Sequence, residues 1–581
     1  MLFPTLSGCR DSSREAATSS PSSAKSTSSS IPTEPSLTTS TAAAEGGYAP
    51  PEVAPLFEDV AAASGIAFQF HADIIPDRYF LPEIMGGGVA WLDFDRDGIL
   101  DLYLVNGRPL DGDGTGPLPL DHAYRGDRSG RFQAIPTQFL DAPSQYGQGC
   151  AAGDFNADGF PDLYIAAFGE NLLLLNNGDG TFQNITQPAG VADSSWSTSV
   201  LWLDIDGDRL LDLYVTNYLD VALETRKICE YGGQPGYCGP GQYEAVQDRV
   251  FLNQGDGTFR EAAVELGFLD SNGKGLAIAA IDFDNDLVPE IYVANDMTSN
   301  QLFVKVPGPP TRYRDVAPAS GAAQSGEGMN EASMGISAAD FDNDGLIDLF
   351  LTHYYHMKNT VYRNCGNLLF DDVSRMIGAA RASYDHLGFG TVPLDYDRDG
   401  FDDLFIATGH VLGPKVQPSE MTPQLIRNDR GRKFVDISAF AGPHFQAKAL
   451  ARGAAAADYD DDGDVDIAVT YLDRPFALLR NDTPAPGRFI GVRLESTDRI
   501  SPTGTRVQIV AGDRVQTRTL TAGGSYLSWS DERLLFSAPI EAATADVEVV
   551  WPSGATERFE GLDVDAYWSL TEGQPPRRQV R

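Results

Sequence analysis

Positive charge is scarce in this chain: 43 Lys and Arg stand against 82 Asp and Glu, for a formal charge of −39. Phosphate recognition needs a basic face, so this balance excludes nucleic acid and an anionic membrane surface as partners. Long apolar stretches are missing as well; no run of 18 apolar residues occurs, so nothing in the sequence reads as a membrane-spanning helix. Histidine and cysteine are few, seven and five among 581 residues. No His-Glu-x-x-His, Gly-x-Ser-x-Gly, phosphate-loop or Cys-x-x-Cys-His haem motif is present. The nearest approach to a constellation is His353 and His356 in Thr352-His-Tyr-Tyr-His-Met-Lys-Asn359. Their spacing at a strand exit reads as packing or loop structure rather than a ligand pair, and His386 and His410 read the same way.

What the chain has in excess is one acidic phrase, written seven times. The copies carry Asp93, Asp95, Asp97 and Asp101; Asp154, Asn156, Asp158 and Asp162; Asp204, Asp206, Asp208 and Asp212; and Asp282, Asp284, Asp286 and Glu290. They continue with Asp340, Asp342, Asp344 and Asp348; Asp395, Asp397, Asp399 and Asp403; and Asp458, Asp460, Asp462 and Asp466. Each set occupies positions 1, 3, 5 and 9 of its phrase, and together they hold twenty-seven of the 82 acidic residues. Alternate carboxylates converge on one side of a tight loop, where they repel unless a hard cation lies between them. Oxygen-only ligation of this kind suits Ca2+, which takes six to eight oxygens including a backbone carbonyl near position 7. Up to seven calcium sites are therefore expected, each stapling its own loop. Position 6 is Gly in five copies; Arg209 and Leu287 replace it in the third and fourth, which marks those loops as the weaker ones.

An EF-hand requires a bidentate Glu at position 12 and flanking helices. Position 12 is instead Leu104, Ile165, Leu351 or Ile406, inside short aromatic and β-branched runs that read as strands. The other phrases recur too, with first aspartates about 50 to 78 residues apart. One is an F-x-D-V strand, as at Phe57–Val60, Phe182–Ile185, Tyr313–Val316, Phe370–Val373 and Phe434–Ile437; another is a Gly-Asp-Gly hairpin, as at 178–180 and 255–257. Each repeat thus supplies four strands, and seven four-stranded sheets fit a seven-bladed β-propeller over residues 56–482. The strand at Phe57 lacks a repeat before it and the repeat ending at Asn481 lacks its last strand, so the two complete one blade.

These repeats resemble the FG-GAP or VCBS repeats of integrin α-chain propellers, and more closely those of bacterial relatives of cartilage acidic protein. Val293-Ala-Asn-Asp296-Met-Thr-Ser-Asn300-Gln-Leu-Phe303 and Tyr237-Cys-Gly-Pro240 carry that resemblance further. Gly504-Thr-Arg-Val507, Gly523-Gly-Ser-Tyr526, Asp531-Glu-Arg-Leu-Leu-Phe536 and Trp551-Pro-Ser-Gly554 resemble the family's ASPIC and UnbV domain. Independently of the family, alternation in Arg506-Val-Gln-Ile-Val510 and Val547-Glu-Val-Val550 predicts a small β-sandwich or barrel over residues 488–572, with a disordered tail at 573–581. The fold class is all-β.

At the start, Leu6-Ser-Gly-Cys9 matches the lipidated cysteine of bacterial lipoproteins, without a basic or apolar segment before it. Residues 1–9 are read as a truncated signal with Cys9 as the lipidation site, the alternative being chance. Residues 12–41 hold 18 Ser or Thr, so 10–55 is read as a disordered tether. Cys229 and Cys238, in a Gly- and Pro-rich insertion of the third repeat, are expected to form a disulfide suited to export, the alternative being free thiols. Cys150 and Cys365 read as buried small hydrophobes. The exported chain, periplasmic or at the cell surface, is expected to be a calcium-stabilised binding or adhesion module without catalytic activity. Its loops would grip an unidentified protein or polysaccharide. An enzyme with its site in the propeller channel and a spacer without a ligand are the alternatives.

Overall fold

In the computed structural model the described residues are 51–110, 119–136, 145–269, 272–416, 418–495 and 501–579. Cys9 and nearly all of the Ser/Thr-rich segment lie outside them. Seven four-stranded antiparallel sheets are formed by the repeats. Their first strands are Val89–Leu92, Tyr146–Gly153, Ser197–Leu203, Gly275–Ile281, Ile336–Ala339, Gly388–Leu394 and Ala451–Ala457. Each first strand packs beside that of the next sheet, and the seventh packs beside the first, so the sheets are blades closed in a ring. The seventh blade takes its outer strand from the start of the propeller: Phe57–Asp59 pairs with Leu479–Asn481. This closure leaves no long unpaired edge.

The strands follow from the apolar runs. Leu102, Leu104, Leu163, Leu213, Leu349 and Leu404 are fully buried, because blade faces are covered by neighbouring blades on both sides. Between blades, an Asn ending the third strand reaches back to its predecessor. Its side-chain amide donates to the carbonyl of loop position 2, as in Asn176 to Phe94 (2.8 Å), Asn253 to Phe155 (2.9 Å), Asn364 to Phe283 (2.8 Å) and Asn428 to Phe341 (2.8 Å).

Residues 488 onward fold into two four-stranded sheets. Val507, Ile509, Val547 and Val549 alternate inward and are fully buried, the pattern of a strand with one covered face. The tail departs from its expected disorder: Arg577–Arg578 pairs with Trp568 and Ser569, since the edge of that sheet offers free backbone groups. This unit also reaches into the ring. Ala522–Gly523 adds a fifth strand to the fourth blade, Ser525 bridges Ile336 of the fifth, and Trp529 bridges Ala90 of the first. Cys150 N–H donates to the Leu527 carbonyl, and the Ser525 hydroxyl donates to Ala454 of the seventh blade. The propeller axis is therefore filled by residues 522–529. Gly88 permits the approach, since a Cβ there would lie 2.4 Å from the Leu527 carbonyl oxygen.

At the other end, the insertion in the third blade forms a hairpin, Ile228–Tyr231 paired with Gln234–Tyr237, closed by the Cys229–Cys238 disulfide. Its Tyr237 hydroxyl donates to buried Glu83 at 2.7 Å, and Arg226 donates to the Arg78 carbonyl, so the hairpin is strapped to the segment leading into the first blade. Among the described residues, no helix is long and apolar enough to cross a membrane.

Candidate metal centre

Every acidic phrase forms the turn between the first and second strand of a blade, so all seven lie on one face of the ring. Within each turn the carboxylates are bent inward by backbone amides. Position 1 accepts from the N–H of position 6, as Asp154 from Gly159 (2.8 Å), Asp340 from Gly345 (2.8 Å) and Asp458 from Gly463 (2.8 Å). Position 5 accepts from position 7, as Asp344 from Leu346 (2.9 Å). Position 9 is the most deeply placed: Asp101, Asp162, Asp212 and Asp466 are fully buried. It ties the turn to the neighbouring strand, with Asp403 accepting from Asn428 at 2.7 Å and Asp466 from Asn481 at 2.8 Å.

Two residues per turn are left-handed. Position 6 has φ from 84° to 97° in the glycine copies, and Arg209 (77°) and Leu287 (72°) adopt the same conformation. Their N–H groups keep the bond to position 1, Arg209 to Asp204 and Leu287 to Asp282, each 3.0 Å. The third and fourth loops thus preserve the geometry that the missing glycine put in doubt, at a strain of roughly 1 kcal/mol each. Position 4 is left-handed throughout, at Arg96, Ala157, Gly207, Asn285, Asn343, Arg398 and Asp461. No glycine signal marks that position outside the third copy.

The convergence expected from spacing is present. Oxygens of Asp93, Asp95 and Asp101, of Asp204, Asp206 and Asp212, and of Asp282, Asp284 and Glu290 lie within 4.8 Å of one another; so do those of Asp340, Asp342 and Asp344 and of Asp395, Asp397 and Asp399. Burial raises the carboxyl pKa to about 8 at Asp101, Asp162, Asp212 and Asp348, with neighbouring carboxylates of the same loop adding to the rise. Glu290 is pushed to about 9 by the same two causes. Asp162 Oδ2, Asp342 Oδ1, Asp397 Oδ1 and Asp460 Oδ1 are buried without a hydrogen-bond partner. Buried carboxylate oxygens are costly to leave unmatched, and a hard divalent cation is the partner their chemistry fits.

Sequence reading treated each loop as self-contained, and here it fell short. The C-terminal unit sits on the loops. Arg518 makes a two-point ion pair with Asp402 (2.6 and 2.7 Å), and Arg493 reaches Asp93 at 3.5 Å. Arg533 bonds Asp461 and the Asp458 carbonyl, both 2.6 Å, while Tyr567 donates to Asp458 at 2.6 Å and Ser537 to Asp395 at 2.5 Å. Within blades, Arg125 pairs with Asp95 (2.8 Å) and Arg363 with Asp342 (3.0 Å). These partners lie 30 or 20 residues and more away in sequence, where spacing gives no signal.

The histidines stay apart from this face. His353 is buried between Thr360 (3.0 Å) and Glu331, and burial pushes its pKa down to about 3; His356 stacks between Tyr355 and Tyr384. Cys150 is buried as expected, but Cys365 is only half-buried because it sits on a hairpin turn beside Asp371.

The FG-GAP-like repeat model matches residues 93–165, 154–215, 239–293, 340–406 and 395–469, which together make up more than half of the chain. The chain belongs to the FG-GAP-like repeat family. The ASPIC and UnbV model matches residues 497–577. Human cartilage acidic protein 1 is 24% identical over 407 residues, covering 58% of this chain and 58% of the relative; the Xenopus tropicalis protein is 24% identical over 319 residues, covering 45% and 48%. The chain therefore spans about half of the length of the curated relatives it matches. Solved structures with some likeness include an Agrocybe aegerita protein described as recognising non-reducing terminal N-acetylglucosamine, with TM-score 0.35 and 16% identity over 67% of this chain and 87% of that one. Bacillus licheniformis rhamnogalacturonan lyase has TM-score 0.29 and 13% identity over 68% and 89%.

Proposed function

We propose that this FG-GAP-like repeat protein is a calcium-stabilised, extracytoplasmic binding or adhesion module, and that loops of the face opposite the acidic turns meet a protein or polysaccharide. In this reading the position 1, 3, 5 and 9 residues named above hold Ca2+, which neutralises each turn and fixes the angle between first and second strands. The metal supplies rigidity, and no reaction step is assigned to it. The observation that supports the reading best is the unmatched, buried oxygen of Asp162 and Asp397 inside turns otherwise fully organised by backbone amides. With the C-terminal unit bonded to the first, sixth and seventh turns and residues 522–529 on the axis, recognition is assigned to the opposite loops. The Cys229–Cys238 disulfide supports export, and Cys9 is proposed as the lipid anchor.

Isothermal titration of calcium into chelator-stripped full chain, followed by binding of the loaded chain to glycan and cell-surface protein arrays, tests both halves. Several calcium equivalents with calcium-dependent retention of a partner are expected. No calcium uptake removes the metal assignment, whereas uptake without any retained partner favours a spacer.

A further inference from the structure

Beneath the disulfide hairpin, at the end of the channel away from the acidic turns, lies a cavity of about 280 Å³. Its floor and walls are apolar and aromatic, with Tyr218, Tyr231, Tyr237, Tyr354 and Phe389 among them and Met85 and Met334 filling between. One carboxylate enters this wall. Asp296 is 8% exposed, and its Oδ2 accepts a hydrogen bond from the Tyr218 hydroxyl at 2.5 Å. Its backbone is fixed on both sides, by the N–H bond to the Lys274 carbonyl (2.9 Å) and by pairing with Ala332.

A carboxylate in an apolar wall is expensive unless something charged or strongly donating meets it. Of the two neighbouring cations, one reaches Asp296 through its field and the other is bonded elsewhere. Lys274, whose field reaches Asp296, donates to the Pro240 carbonyl at 2.7 Å. Arg452 is fully buried behind Phe389, 4.1 Å from the ring centroid, and donates to the carbonyls of Ile84, Gly409, Ala451 and His410. Glu83, the other buried acid nearby, is matched by Arg78 and the Tyr237 hydroxyl. Burial raises the Asp296 pKa to about 6, so the group is still ionised at neutral pH.

We propose that the cavity is a binding site for a small organic amine: the ammonium head pairs with Asp296 between tyrosine rings, and the apolar body fills the space lined by Phe389, Met334 and Leu276. Aromatic faces and one carboxylate are the groups that recognise such cations, and a pocket that is mostly apolar with one polar anchor is the usual form of a small-molecule site. The disulfide hairpin is the lid of this site, since Cys229, Tyr231, Tyr237 and Cys238 form its outer wall. This inference does not rest on the calcium assignment, because the cavity is at the opposite end of the blades.

The test titrates phenethylamine and its uncharged counterpart 2-phenylethanol into the calcium-loaded full chain at pH 7.5 by calorimetry. Wild type is expected to bind the amine about tenfold tighter, the worth of one charge-assisted hydrogen bond. Asp296→Asn keeps an acceptor for Tyr218 and is expected to bring the two affinities together without lowering the melting temperature. Ala332→Leu, which puts three carbons into the cavity, is expected to abolish both. The proposal is overturned if wild type ignores millimolar phenethylamine, if it binds the alcohol as well as the amine, or if Asp296→Asn keeps the preference.

Discussion

The two faces of the ring solve different problems with different means. On the acidic face the same nine-residue turn is built seven times from backbone hydrogen bonds, and its charge is met by arginines of a second unit, as in Arg518 with Asp402. On the opposite face the one-turn helices after the outer strands recur, as at Ala61–Ser64, Thr186–Ala189, Ala263–Leu266 and Ala317–Ser320, but the connections between second and third strands differ from blade to blade; one of them carries a disulfide over an aromatic-walled cavity. Repetition preserves a local geometry that every copy needs, whereas variation concentrates where nothing but the rigid scaffold is shared. Stability is therefore expected to follow calcium on the first face and side-chain packing at the axis and the second.

The largest effect expected is at the axis, where both faces depend on one segment. Trp529→Ala removes a ring that is 4% exposed between the first blade and the C-terminal unit and should cost roughly 3–5 kcal/mol by urea unfolding, with or without calcium. Insensitivity there would mean that residues 522–529 merely line the channel. Next comes the acidic face itself. Asp397→Ala takes an unmatched buried oxygen out of a well-formed turn and is expected to lower the number of calcium equivalents by one, with a loss of about 2.7 kcal/mol at calcium a hundredfold above its dissociation constant. Asp286→Ala in the strained fourth turn should cost less; equal losses would break the ranking of the loops.

Acidity offers a further separation of the faces. Asp101, Asp162, Asp212 and Asp348 have folded pKa values raised to about 8, above their unfolded values. Groups of that sign favour folding while protonated and withdraw that stability as pH rises through the folded pKa. In excess EGTA the melting temperature is thus expected to fall between pH 7 and about 8.5. Saturating calcium should flatten the slope, because the carboxylates are then ionised in the folded state at both ends of the window. A flat profile in EGTA would show that burial does not govern these carboxyls.

How far the sequence carried this picture differs between the same regions. The 1-3-5-9 spacing pointed to the carboxylates that converge in five turns, three to a turn as with Asp93, Asp95 and Asp101, because a turn is a local object whose groups lie within nine residues. Closure of the seventh blade was also legible, since Phe57–Asp59 and the strand ending at Asn481 each lacked a partner. Position 4 was not, because Arg96, Ala157 and Asn343 share a left-handed conformation without sharing a residue type. Nor was the axial segment legible: Gly523–Trp529 has neither strand nor helix periodicity, and its partners lie in six different blades or far along the chain. The arginines facing the acidic turns were hidden for the same reason, as Arg533 is more than seventy residues from Asp458.

The smallest effect expected sharpens the comparison among turns. Leu287→Gly relieves a left-handed side chain and should raise stability by roughly 1 kcal/mol in calcium, provided the turn binds as its intact Asp282 bond implies. A loss instead would show that Leu287 contributes packing that outweighs its strain.

The central claim, that calcium on the acidic face holds the ring together, is met most directly by differential scanning calorimetry of the full chain with its disulfide intact, once in excess calcium and once in excess EGTA. The account predicts a clearly lower melting temperature in EGTA, recovered on adding calcium back. Superimposable curves would contradict it.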